Sequence, residues 1–246
     1  LKENDIVYFI SLKESIPNII KLCGKNNFKI KDVMIIGGSR IGINTAELLE
    51  NDFRVILVEK DKTICDQMAN ILKNTLVINI DGHDVKMLEE EGLTEIDALI
   101  SVTADSEMNI MTSLVGKSHG IKKTIARIEN FDYINLSQSI GIDTLINKKI
   151  IAADNIFKFV RKGNVSLVAN LHGTDAEIIE FIVKAGSKIT KYPISKLNFP
   201  SSSKIAGVIR NGNPIIAFGD FHLKENDKII VFSLTESIKE IEKFFL

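Results

Sequence analysis

Residues 32–61 read DVMIIGGSRIGINTAELLENDFRVILVEKD, and this stretch decides the fold. Residues 33–36 form an uninterrupted apolar run, the pattern of a parallel strand buried on both faces. The run breaks at Gly37-Gly38-Ser39-Arg40-Ile41-Gly42, and an amphipathic helix follows through Leu48 and Leu49. A second apolar strand, 55–58, ends on Glu59. In such a strand–turn–helix–strand unit, a dinucleotide's phosphates meet backbone N–H groups at a helix N-terminus. Glu59 lies where the unit places the acid that accepts from adenosine ribose hydroxyls. The pattern G-x-G-x-x-G has Ser39 at its middle glycine; the serine adds a Cβ and a hydroxyl able to donate to phosphate. The same unit with a tight turn and no ligand is the structural alternative.

The flanking sequence alternates in the same way. A helix over 60–73 leads to a strand at 75–80, which ends at Asp81-Gly82. Helices over 84–91, 106–119 and 132–139 alternate with strands at 98–103, 124–128 and 142–146. The expected fold is α/β, a Rossmann-like doubly wound parallel sheet of six strands. A helix over 148–161 follows. From Gly163 short β-rich segments (166–171, 177–183, 205–210, 214–218 and 228–233) and a last helix from Thr235 describe a smaller α+β domain.

Leu1 to Ile16, LKENDIVYFISLKESI, aligns without a gap with Leu223 to Ile238, LKENDKIIVFSLTESI. Each copy reads as a polar turn, a buried strand and a helix start. The second copy closes the chain, so the first is expected to close a similar domain that starts earlier, making this the C-terminal part of a tandem-repeat protein.

The totals narrow the function classes. A length of 246 residues allows one large or two modest domains, and a net charge of −1 gives no footprint for nucleic acid. No run reaches the roughly 18–20 apolar residues of a membrane span, and LKENDIVYFI is not a signal peptide. Cys23 and Cys65, the two cysteines, have no metal-ligand or redox spacing. A reduced cytoplasmic protein is expected. His83, His119, His172 and His222 form no ligand motif, so no metal site and no catalytic residue is assigned. Tyr192-Pro193-Ile194-Ser195-Lys196 spells the Y-x-x-x-K pair of some dehydrogenases but lies in the β-rich domain, outside the six-stranded sheet.

Several stretches together resemble the RCK (or KTN) domain and its C-terminal companion in TrkA-type potassium-uptake regulatory subunits: IIGGSRIG at 35–42, VEKD at 58–61, NIDGHD at 79–84, SVTADSEMN at 101–109, IARI at 125–128 and RKGNVSLVANLHGTDAEIIEF at 161–181. The resemblance spans essentially the whole chain. It implies the tail of a preceding companion domain and linker at 1–30, the nucleotide-binding domain at 31–147, a connecting and dimerisation helix at 148–162 and the companion domain at 163–246. It further implies that Gly37, Gly38, Ser39, Arg40 and Ile41 cradle phosphates, and that Glu59 takes the adenosine ribose. Asp81 and Gly82 would border the adenine, Thr103 would lie over the phosphates or second ribose, and Arg127 would add a cationic or stacking contact. Arg40 could also reach terminal phosphates. The implied ligand is NAD(H), with ATP or ADP as the alternative; Glu59 disfavours NADP, which the adjacent Lys60 keeps open. The implied partners are a membrane-embedded potassium transporter subunit (TrkH/KtrB-like) and further copies of this chain, dimers assembling into a ring at the inner face of the membrane. Two positions depart from the family pattern: Ser39, and Ser106 where an Asp precedes Glu107; both point to a weakened or altered nucleotide preference. Each residue also has a plainer reading. Glu59 can be a solvated strand end, Arg127 half of a surface ion pair, Thr103 a strand residue, Asp81-Gly82 a turn, and Arg40 a solvent or subunit contact. An NAD-dependent oxidoreductase and a ligand-free scaffold are the rival classes.

Overall fold

The computed structural model describes residues 2, 7–24, 28–130, 132–160, 164–171 and 174–246. Its chain divides into two compact units, residues 27–149 and residues 1–26 together with 150–246. Among the described residues no helix is long and apolar enough to cross a membrane.

Near the N-terminus a single 3-10 turn, Lys13–Ser15, runs into α1 (Ile16–Leu22). The second copy of the repeat repeats this at the matching positions, with a 3-10 turn at Thr235–Ser237 and a helix starting at Ile238. The strand halves differ. Residues 228–234 of the second copy are a strand paired on both sides, whereas residues 7–12 of the first take no regular structure, and Val7 and Phe9 are exposed. The expected first strand is therefore corrected: an alternating segment becomes a strand by pairing, and residues 7–12 join neither sheet. Residues 1 and 3–6 of that copy lie outside the described residues.

The unit 27–149 is built from β1 (Asp32–Ile36), α2 (Arg40–Leu49), β2 (Arg54–Glu59), α3 (Lys62–Ile71), β3 (Thr75–Asn79), α4 (Val85–Glu90), β4 (Ala98–Ser101), α5 (Ser106–Ser118), β5 (Lys123–Arg127), α6 (Asp132–Ser139) and β6 (Thr144–Ile146). All six strands run parallel in the order β3-β2-β1-β4-β5-β6. Alternate residues of β1 serve opposite faces: Val33 and Ile35 pack with Leu57 and Met68, while Met34 and Ile36 pack with Leu88 and Leu99. A strand buried twice over must be apolar throughout, which is why this segment reads as a continuous run. β1 sits between β2 and β4, where the winding reverses direction, the place at which such sheets bind ligands.

The opposite, amino-terminal edge is tied by Asp97. Its carboxylate accepts from the Lys31 and Asp32 N–H groups at 2.7 and 3.2 Å and from Lys122 Nζ at 2.6 Å. The Lys122 bond above all, with the Lys31 N–H, holds this carboxyl down at about 2 from its ordinary 3.8. A lowered folded-state value stabilises the fold above the unfolded value, and that contribution is lost as pH falls through 3.8 toward about 2. Asp97→Asn is expected to lower the urea midpoint near neutral pH, with the gap to wild type closing as the pH approaches 2; a constant gap would rule out the ionic origin.

α7 (Lys148–Val160) spans the boundary between the units; Arg161 and Lys162, expected at its end, lie outside the described residues, as does Gly163, the expected start of the second domain. The second unit holds β7 (Val165–Asn170), β8 (Ala176–Ile182), β9 (Ser203–Arg210), β10 (Asn213–Ile215), β11 (Lys228–Leu234) and α8 (Ile238–Glu242). Its sheet is antiparallel, in the order β10-β9-β11-β8-β7. Ile179 and Phe181 from β8 meet Ile229 and Val231 from β11, and Phe181 stacks on Phe245 at 4.0 Å. Asp227, the last residue of the repeated LKEND, is buried, accepts two bonds from Arg210 at 2.8 and 2.7 Å and a third from the Lys224 N–H. The repeat's aspartate thus anchors the turn into β11. β10 ends at Ile215, three residues short of the expected Phe218, and the last helix is a 3-10 turn plus five residues.

Candidate functional site

The glycine turn leaves β1 at Ile36, whose register partners are Val58 of β2 and Ser101 of β4. Gly37 turns with φ +111°, and its N–H donates to the Val58 carbonyl at 2.8 Å. A Cβ at Gly37 would lie 2.9 Å from the Thr103 backbone nitrogen. Gly38 donates its N–H to Glu59 Oε2 at 2.6 Å, and a Cβ there would meet the Glu59 side chain and Met68 Cε at 2.9 Å. The Asp61 N–H reaches Glu59 Oε1 at 2.9 Å. Glu59 is thus more than a strand end: its carboxylate holds the turn and the start of the following loop.

Ser39 is the N-cap of α2. Its hydroxyl accepts from the Gly42 N–H at 3.3 Å and donates to the Val102 carbonyl at 3.0 Å. The donor capacity expected to serve a phosphate is thus directed at the carbonyl beyond β4. Of the five N–H groups expected to cradle phosphates, those of Gly37 and Gly38 are engaged inside the protein. The N–H groups of Ser39, Arg40 and Ile41 lead into α2 and have no intrahelical acceptor.

Around this turn lies a cleft of about 340 Å³, in the size range of small-molecule sites. Seven of the expected residues line it: Gly37, Gly38 and Ser39 from the turn, Glu59 from β2, Asp81 and Gly82 beyond β3, and Thr103 beyond β4. Gly82 comes so close to the strand that a Cβ would sit 2.4 Å from Ile36 Cγ2. Three expected residues do not line it. Arg40 is the exposed first residue of α2, and Ile41 packs on the core with Val33 and Leu57. Arg127 is buried behind Thr103, donating Nη1–H to the Thr103 carbonyl at 3.1 Å and pairing with Glu129. Glu129 in turn meets Lys148, the first residue of α7, at 3.2 Å. The guanidinium is thus held by Glu129 and the Thr103 carbonyl, at the wall of the cleft and not in its lining.

Several residues of the site were not singled out by the sequence. Asn109, buried on α5, accepts the Thr103 N–H at 2.9 Å and the Thr103 hydroxyl at 2.8 Å. It donates to the Thr103 and Arg127 carbonyls at 3.1 and 2.8 Å, fixing the tips of β4 and β5 to each other. Asp105 lines the cleft and caps α5 through the Met108 N–H at 2.9 Å, so a carboxylate stands one residue before Ser106. Ser106 instead accepts the Glu129 N–H. His83 pairs with Asp81 at 2.6 Å, and bonds from the His83 N–H and ring hold the Asp81 carboxyl below its usual range. All three stood inside quoted motifs, Asn109 as the last residue of SVTADSEMN, but nothing local marked the contacts they make.

A more apolar cavity of about 420 Å³ between α4 and α5 adjoins the cleft at Gly82, His83, Asp105 and Met108. Tyr192 and Lys196 belong to the other unit and do not line the cleft. Among the described residues no group of three His, Cys, Asp or Glu is placed to hold a metal; His172 lies outside them.

The model of the TrkA-N domain matches residues 33–148, and that of the TrkA-C domain matches residues 178–246. The Trk system potassium uptake protein TrkA homolog 1 of Methanosarcina mazei is 32% identical over all of this chain and 55% of its own length. The Trk system potassium uptake protein TrkA of Haemophilus influenzae is 33% identical over all of this chain and 54% of its own length. The chain therefore spans about half the length of the curated relatives it matches. Among solved structures, the GsuK RCK domain aligns at 16% identity and a TM-score of 0.49 over 95% of this chain and 50% of its own. The GsuK channel bound to NAD aligns at 16% identity and a TM-score of 0.48 over 95% of this chain and 41% of its own.

Proposed function

The chain belongs to the TrkA family, with a TrkA-N domain followed by a TrkA-C domain, and on that premise we propose that it is a nucleotide-binding regulator of potassium uptake. The observation that carries this reading is the cleft at the winding reversal, where Ser39 at the start of α2, the carboxylate of Glu59 and the wall of Thr103 line one space. A dinucleotide fits this set of groups: phosphates against the start of α2, ribose hydroxyls against Glu59, the adenosine beside Asp81-Gly82. We take NAD(H) as the ligand, with ADP or ATP as the alternatives. The work of the site is binding, and the consequence is a shift between conformations that hold the ligand unequally.

The partner in this reading is a membrane-embedded potassium transporter subunit of the TrkH/KtrB kind, approached from the cytoplasmic face by an assembly of these chains. α7 is the assembly element: Ile156, Phe157 and Val160 leave a largely apolar surface exposed on it. Val160→Glu is expected to lower the mass of the particle in solution; an unchanged mass would remove α7 from the interface. The repeat at residues 1–16 belongs, in the same reading, to the end of a preceding TrkA-C domain.

Calorimetric titration with NAD⁺, NADH, ADP and ATP tests the ligand. Glu59→Gln keeps one acceptor for the Gly38 N–H but removes the charge that ribose hydroxyls bond. It is expected to weaken binding about tenfold, the worth of one charged hydrogen bond. Absence of heat with every nucleotide would overturn the proposal.

A further inference from the structure

The cavity between α4 and α5, about 420 Å³, is larger than the cleft of about 340 Å³ that it adjoins. The two helices lie on the opposite face of the sheet from α2: Ala46 of α2 packs with Val33 and Ile35, whereas Leu88 of α4 packs with Met34 and Ile36. Val85 and Leu88 of α4 and Met108, Met111 and Val115 of α5 give the cavity apolar walls. Past Val115, His119 pairs with Glu89 of α4 at 2.7 Å and pins the helices together at that end. The other end meets the cleft at His83 and Asp105. Thr112 adds a buried hydroxyl to the wall. It is 4% exposed, and its partner is the Met108 sulfur at 3.6 Å, a weak acceptor that leaves both lone pairs of the oxygen open. The ionisable lining is one-sided. Asp105 and Glu107 stand close enough to interact, no lysine or arginine lines the cavity, and its one imidazole, His83, is held by Asp81 at 2.6 Å. The Met108 N–H fixes Asp105 at 2.9 Å and holds its carboxyl below the usual range, while the exposed Glu107 takes the Tyr133 hydroxyl.

From this arrangement we propose that the cavity is a second ligand site, distinct from the cleft, for a small organic cation: a protonated amine on an apolar, aryl-sized body. The body lies along Leu88, Met111 and Val115, where a flexible methionine adapts to irregular shapes. The ammonium sits toward the cleft, beside Asp105 and Glu107, and relieves the repulsion between these neighbouring carboxylates. An anion of the same shape meets both carboxylates. A polar group on the body has Thr112 as its partner. The site does not depend on nucleotide binding, although the two ligands would be neighbours across Asp105 and Met108.

The five methionines supply the readout. With isotope-labelled methionine methyl groups in the whole chain, Met111 reports in NMR spectra on the cavity, Met108 on both cavity and cleft, and the core residue Met34 on neither. The probes are phenethylamine and phenylpropionate, a cation and an anion of similar size. Phenethylamine is expected to shift the Met111 and Met108 signals saturably and to leave Met34 in place. Phenylpropionate is expected to bind about tenfold more weakly. Val115→Phe fills the cavity and should abolish the Met111 shift, with a melting curve verifying the fold. Glu107→Gln, at an exposed side chain, should weaken phenethylamine about threefold, and added salt should weaken it too; both hold whether or not Val115→Phe folds. No shift at Met111, equal affinity for the two probes, or a Met111 shift that survives in folded Val115→Phe overturns the site. A shift of Met108 without Met111 places the amine in the cleft and overturns it as well. No nucleotide is added, so failure of the nucleotide reading would leave each of these results unchanged.

Discussion

Gly42→Ala is expected to unfold the unit 27–149 at much lower denaturant than wild type, a loss of about 3 kcal/mol. The third residue of α2 passes directly over the turn that precedes it. A Cβ there would stand 2.0 Å from the Gly37 carbonyl oxygen and 3.2 Å from its carbon. The obstacle is backbone, so no rotamer change relieves it. Moving Gly37 would in turn break its N–H bond to Val58 and press it on Thr103. Gly141→Ala is the matched control: Gly141 has φ +95° with nothing within 4 Å of the added carbon, so only backbone strain is incurred, about 1 kcal/mol. The two cysteines supply the readout. Cys65 is buried in the affected unit, and Cys23 is exposed in the other. In a Cys23→Ser background, thiol labelling against urea follows the opening of the unit 27–149 alone. Equal midpoints for the two variants would show that α2 can shift away from the turn at little cost.

That contact also shows what could be read from the chain and what could not. The position of Gly42 was legible because close helix–strand packing demands a residue without a side chain at one fixed distance from the turn. The parallel sheet was legible because strands covered on both faces admit few polar residues, and β1 and β2 each break that rule only at their ends. Glu59 was legible as the acid at the tip of β2. Its hold on Gly38 was not, since a hydrogen bond across 21 residues leaves no local pattern. Arg127 allowed two readings, a ligand contact or half of an ion pair; it stands at the end of β5 as expected, and its guanidinium pairs with Glu129 two residues later. The strand expected at 7–12 had the right alternation, and alternation alone does not make a strand without a neighbour to bond. Ser39 was legible as a departure from the glycine pattern, but its cap bond to the Gly42 N–H and its bond to the Val102 carbonyl were not.

Asn109→Leu is expected to cost about 3 kcal/mol and to weaken nucleotide binding, although no part of Asn109 lines the cleft. The amide fits its surroundings in only one orientation. Its oxygen faces the N–H and hydroxyl of Thr103, and its nitrogen faces the carbonyls of Thr103 and Arg127. Leucine has nearly the same bulk, so the loss is not a cavity. It comes from the Thr103 N–H and the Arg127 carbonyl, which lose their partner at a site only 1% exposed. Asn109→Asp separates volume from bonding: it keeps both accepting contacts and removes both donated ones, setting a carboxylate against two carbonyls. It is therefore expected to be destabilising as well, and more so at neutral pH than in acid, where a protonated carboxyl can donate again. The link to the ligand runs through Thr103, whose backbone closes over Gly37 and whose carbonyl also holds Arg127. Arg127 pairs with Glu129, and Glu129 with Lys148 at the first turn of α7. Loosening Asn109 frees the wall of the cleft from β5, whose Arg127 is tied through Glu129 to α7. Calorimetry at a temperature where the variant is still folded separates the two effects: weaker nucleotide binding with an intact fold is the expected result. Unchanged affinity would mean that the glycine turn alone, without the β4 tip, makes the site.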